Sequence, residues 1–160
     1  MVEIMIVVVL LAVLAAIVLP SLTKGTTMAK ESALAFDLGL MRRFVLIYAS
    51  QHLEVSPGYL NGNTSAAPTG DVFRDQAMLS SKATGETAAI GTAGYPYGPY
   101  LSRIPVNPFN QKDTVETLAN GQAFPAVPDN SHGWICKPET GEVRPDNTGS
   151  DSGGTAYYDY

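Results

Sequence analysis

From Ile4 to Leu19 the chain carries no polar side chain, and Glu3 stands alone at the mouth of that run. A stretch this apolar predicts a helix at the short end of the roughly 20 residues that span a bilayer. Pro20 is expected to interrupt it and Gly25 to loosen it. Helical patterning then resumes over Met28 to Glu54, rich in Ala, Leu, Met, Arg and Glu, until Ser56, Pro57 and Gly58 end it. The two pieces together predict a rod of order 80 Å at about 1.5 Å per residue.

The second piece has two apolar faces. Leu34, Leu38, Met41, Val45 and Tyr48 follow a four-three spacing and form one stripe, while Phe36, Leu40 and Ile47 form another on the far side. A helix that packs against one domain needs a single stripe, so two stripes predict two burial surfaces, one within the chain and one on a neighbour. A central helix wrapped on both sides by its own small domain fits the same periodicity.

From residue 56 the texture turns to Gly, Pro, Asn, Thr and Tyr with short apolar pieces. Residues 59–72 read as loop, and Val72 to Lys82 as a short helix. Residues 83–110 are too punctuated by Gly and Pro for a regular helix. Thr114 to Leu118 and Gln122 to Val127 read as short strands. Trp134 to Cys136 and Glu142 to Arg144 flank Pro138-Glu139-Thr140-Gly141, a hairpin signal. The expected fold is therefore α+β: a long N-terminal helix with a hydrophobic first half, packed by a small antiparallel sheet. The divisions are 1–22 for the hydrophobic helix, 23–55 for its amphipathic continuation and 56–160 for a β-rich head.

Charge sharpens this division. The chain has 160 residues and a formal net charge of −5. Acidic and basic residues balance up to residue 55, so the excess lies in the head. An acidic head repels phosphate backbones, which argues against nucleic acid as a partner. The single cysteine, Cys136, permits no internal disulfide and reads as a small buried residue beside Trp134. The N-terminal run lacks the Lys or Arg before it and the small-residue cleavage site after it that a secretory signal would carry.

The N-terminal run, "LLAVLAAIVLP" with its glutamate 17 residues before the proline, resembles the N-terminal segment of type IV pilins and of the pseudopilins of type II secretion. "FVLIYASQHLEVSPGY" (44–59), "GPYLSRIPVNPFN" (98–110) and "GWICKPETGEV" (133–143) are similar, in order, to the helix end, the Pro-rich loop and the hairpin of major pseudopilins. Asn107 and Phe109 stand where many members have acidic and tryptophan residues. The resemblance implies a homopolymeric helical filament, stored in the inner membrane before assembly and then periplasmic or extracellular, and no enzymatic activity. Implied partners are membrane lipid before assembly, a prepilin peptidase that exposes a methylated terminus, an inner-membrane assembly platform, minor pilins or pseudopilins and an outer-membrane secretin.

In the family's register two residues precede Met1. Glu3 would then pair with the amino terminus of a neighbouring subunit, relieving the cost of an unpaired carboxylate in lipid, and Pro20 would share in intersubunit assembly. Major pseudopilins also hold their C-terminal loop with calcium. In "RPDNTGSDSGGTAYYDY" the oxygen donors Asp146, Asn147, Ser150 and Asp151 suit that ion, although they match no EF-hand and also read as a solvated tail.

A different class of protein, a monomeric single-pass anchored envelope domain that binds a ligand, shares the anchor but has no use for Glu3 or for two helix stripes. "SDSGG" (150–154) resembles a serine-protease nucleophile segment, but it lacks a histidine motif and the chain that a second barrel requires. His132 and Cys136 offer two metal ligands, too few for zinc. Asn63-Thr64-Ser65 is a formal glycosylation acceptor. The tyrosines at 95, 97, 100, 157, 158 and 160 suit core cover and subunit contacts, or else an adhesive surface.

Overall fold

A computed structural model describes residues 2–160, with the side chains of 15 and 17–24 outside the description. Helix α1 runs without a break from Val2 to Gln51, about 75 Å at the usual rise. The expected interruption at Pro20 is therefore not found. A proline removes one backbone hydrogen bond and costs about 3 kcal/mol within a helix, and the many remaining bonds of a 50-residue helix carry it through. The end is abrupt: the amides of His52 and Glu54 both donate to Ala49 O, while Leu53 and Glu54 take left-handed φ of 57° and 61°. Bonds of this kind satisfy the orphan carbonyls of a last turn.

The head contains helix α2 (Gly70–Met78), a two-stranded antiparallel pair β1 (Ser80–Ser81) and β2 (Thr87–Ala88), and a three-stranded sheet of β3 (Val115–Thr117), β4 (Trp134–Lys137) and β5 (Glu142–Pro145). Short 3₁₀ turns lie at Leu60–Gly62 and Tyr157–Asp159. Helix α2 starts two residues before the expected Val72 because Thr69 caps it, its hydroxyl accepting from Val72 N–H at 3.3 Å.

The β4–β5 hairpin forms as expected, with Ile135 opposite Arg144. The sheet is not wholly antiparallel, however: β3 and β4 run parallel, Val115 pairing with Trp134 and Thr117 with Cys136. The connection 118–133 exceeds the roughly dozen residues that a parallel crossover needs. It includes the expected strand at 122–127, which is irregular. There Phe124 packs beside Tyr158, and Pro125 O accepts from the Tyr158 hydroxyl at 2.8 Å, so this segment covers the sheet and does not extend it.

Alternation along β4 explains why Trp134-Ile135-Cys136 is apolar without a break. Trp134 and Cys136 join Leu34, Leu38, Met41 and Val45 of α1 in the main core, whereas Ile135 lies with Leu118 and Tyr158 in a second cluster. A strand buried on both faces reads as a continuous apolar run. Trp134 Nε1 donates to Pro105 O at 2.8 Å, so the indole is also satisfied. Buried Gln76 ties the upper head together, accepting from Gly58 N–H and donating to Tyr59 O and Gly85 O at 2.8–3.0 Å.

Candidate assembly interface

The five residues of the first stripe, Leu34, Leu38, Met41, Val45 and Tyr48, are 0–4 % exposed in the main core. The opposite face is left to water: Phe36 and Leu46 are each 72 % exposed and Ile47 is 40 % exposed, while Leu40 is half-buried at the core edge. A groove of about 430 Å³ runs beside Phe36 and Leu40 under the loop that carries Arg103, Pro105 and Val106. Asp37 borders it; partial burial pushes its carboxyl up, opposed by the nearby Arg103 guanidinium. Phe36, Leu40 and Ile47 therefore form a second apolar face, which the chain's own head covers only in part, at Leu40.

Toward its N-terminus the described side chains of α1 are bare. The eleven large aliphatic side chains between Val2 and Leu14 in the described set are 53–71 % exposed. Lys30 and Glu31 reach the head: the Lys30 ammonium lies 5.9 Å from the Phe109 ring centroid, and Glu31 accepts from the Tyr157 hydroxyl at 2.9 Å. Glu3 lies in the first turn, exposed, and no cation pairs with it among the described residues. Pro20 sits within the helix, and its side chain lies outside the description. Among the described residues, no helix is long and apolar enough to cross a membrane.

Where α1 ends, His52 locks it to the head. Its ring stacks on Tyr48 at 3.7 Å between centroids and 3° between planes. The Nδ1 atom lies 2.8 Å from Tyr48 O, which can only accept, so Nδ1 carries the proton; Nε2 then accepts from the Ser81 hydroxyl at 2.9 Å. Burial pushes the His52 pKa down, partly opposed by the bond to Tyr48 O. Burial likewise raises Tyr100, to about 12. His52 falls within the segment Met28 to Glu54 read from the sequence as helix, and Ser81, from the unforeseen β1 strand, is its second partner.

Of the oxygen donors of the C-terminal segment, Asn147 and Ser150 line one open groove of about 490 Å³ beside Phe124 and Tyr158, while Asp146 and Asp151 do not reach it. Asp146 is fully buried, and its carboxylate accepts from the backbone N–H groups of Asp129, Asn130 and His132 and from the Ser131 hydroxyl. Asn147 Oδ1 accepts from Asn107 Nδ2 at 2.9 Å. Ser150 is exposed, in a bridge with Ala156. The carboxylate of Asp151 accepts from Gly153 N, Thr155 N and the Tyr160 hydroxyl at 2.8–2.9 Å, and these bonds hold its pKa below the usual carboxylate range. Among the described residues no three His, Cys, Asp or Glu side chains are placed to hold a metal ion. A calcium ligand must direct free lone pairs at the ion; protein donors already engage the side-chain oxygens of Asp146, Asn147 and Asp151, which leaves Ser150 alone, so the segment as folded does not fit one.

Two further sequence signals are placed by the fold. Cys136 is a buried free thiol, its pKa pushed up by burial. Asn63, Thr64 and Ser65 form an exposed loop in which Ser65 N–H donates to Asn63 Oδ1 at 3.1 Å. No family model matches this chain, and no curated protein and no solved structure matches it.

Proposed function

We propose that this chain is a structural subunit that polymerises through its long helix into a filament of the type IV pilus or type II pseudopilus kind. The observation that carries the reading is the exposed apolar surface of α1. Soluble monomers rarely expose contiguous apolar patches above a few hundred Å², and fully burying each such side chain is worth about 1.5–3 kcal/mol. Lipid covers the first half before assembly, and neighbouring copies of α1 cover it afterwards. The outer face at Phe36, Leu46 and Ile47 favours polymerisation over the anchored binding domain, because an anchor leaves that part of the helix beyond the lipid and gives it nothing to bury against.

In this reading Glu3 is the registration device. An ionised carboxylate at the mouth of an apolar helix gains a partner only when a second chain brings its amine alongside, so assembly replaces an unpaired charge with a pair. The work is mechanical: extrusion of a growing rod from the inner membrane, through a platform and minor subunits, either pushes cargo toward a secretin or displays a surface fibre. The test is electron microscopy of sheared cell-surface material with mass spectrometry of the subunit's first peptide, in wild type and Glu3→Ala. Fibres of this chain with a methylated terminus, lost in Glu3→Ala while the subunit still folds and inserts, are the expected result. Unprocessed membrane monomers would overturn the reading, and normal fibres from the variant would overturn the role of Glu3.

A further inference from the structure

Asp146 is 0 % exposed, and among the described residues no cationic side chain forms a salt bridge with it. An ionised carboxylate in such a place is stable only if dipoles replace water around it. Its Oδ1 accepts from Asp129 N–H at 3.1 Å and Asn130 N–H at 3.2 Å; its Oδ2 accepts from His132 N–H at 2.8 Å and from the Ser131 hydroxyl at 3.4 Å. A carboxylate offers about four acceptor positions; the three amides fill three, and the Ser131 hydroxyl, which also meets His132 Nδ1 at 2.8 Å, lies at the fourth, with the Asp129 carboxyl in side-chain contact beside it. Successive amides turned inward in this way form a concavity that selects an anion, and here the chain supplies the anion itself.

The same residue joins three segments that share no strand. Asp146 N–H donates to Gly133 O at 3.1 Å, and Asp146 O accepts from Asn110 Nδ2 at 2.7 Å. That amide also donates to His132 O at 2.6 Å. Asn107, likewise buried, bridges Gly133 O and Asn147 Oδ1 at 2.9 Å each. The Pro-rich loop, the segment 129–133 and the end of β5 are thus knotted through one carboxylate and three asparagines.

We propose that Asp146 acts as an internal anion that organises the C-terminal half of the head, in the role that the resembling family gives to a bound cation. The head then folds and persists without divalent metal. A cation placed at Asp146 would face three amide protons where it needs lone pairs, so calcium has to break this knot to bind. This hold on the head is independent of whether the chain polymerises.

The test uses the full chain in detergent micelles, with the melting temperature followed by Trp134 fluorescence in a metal chelator and in millimolar calcium. Hydrogen exchange at the amides of Asp129, Asn130 and His132 is measured in both buffers. The expected result is one melting temperature and equal protection of these amides with and without calcium. Asp146→Asn, which puts an NH₂ group where one acceptor oxygen was, is expected to lose that protection and to melt lower in both. A saturable calcium-dependent rise of several degrees in the wild type, protection that appears only with calcium, or unchanged exchange in Asp146→Asn would each overturn it. Should Asp146→Asn fail to fold, wild-type exchange in chelator decides.

Discussion

Leu38 and Phe36 lie two residues apart on one helix and on opposite sides of it. Leu38 is 2 % exposed and Phe36 is 72 % exposed, so truncation of each isolates one face. Leu38→Ala removes a side chain from the interface of α1 with the head and leaves a cavity that rigid neighbours only partly fill. Comparable buried leucines cost about 3–4 kcal/mol when truncated, a large part of the 5–15 kcal/mol that holds a typical domain together. At a urea slope of roughly 2 kcal/mol per M, the midpoint falls by about 1.5–2 M. Phe36→Ala exposes little that was covered, and its stability should change by no more than about 0.5 kcal/mol. Trp134 is the sole tryptophan and is buried beside this core, so its fluorescence reports the transition in the micelle-bound chain without added label. Filament yield, measured in parallel, should fall for Phe36→Ala at unchanged midpoint. Equal shifts for the two variants, or a shift below about 0.5 kcal/mol for Leu38→Ala, would refute the division into a filled face and an open one.

His52 is held neutral by burial, with its pKa below the ordinary 6.5. As pH falls through 6.5 the unfolded chain takes up its proton first, so stability declines until the lower folded value is reached; urea midpoints at pH 7.5 and 5 should differ less in His52→Gln than in wild type. Gly133→Ala would place a Cβ 2.2 Å from Lys112 O and should cost at least about 1–3 kcal/mol, whereas Gly39→Ala meets nothing within 4 Å in the middle of α1 and should stabilise by about 0.5–1 kcal/mol in the same urea titration. The buried Cys136 thiol should resist an aromatic disulfide reagent in the native chain and react on unfolding, because burial disfavours the thiolate; fast reaction in the native state would contradict its placement.

Local signals determined much of this molecule. The α+β class, the inward stripe of α1 and the β4–β5 hairpin were legible because each depends on residues near one another in sequence: a four-three spacing, or a Pro-Glu-Thr-Gly turn between apolar pieces. The exposed second face was legible for the same reason. Pro20 misled because one missing hydrogen bond did not outweigh the long ladder of helix bonds on either side of it. The parallel pairing of β3 with β4 was beyond reach, since the registers of Val115 and Trp134 are joined only through the long loop between them. So was the fate of Asp146. Its residue type advertises oxygen lone pairs, but whether they meet a cation or amide protons depends on segments 129–132 and 107–110. Only the tertiary fold brings those segments to it, because hydrogen-bond geometry between distant segments leaves no periodic trace in the chain.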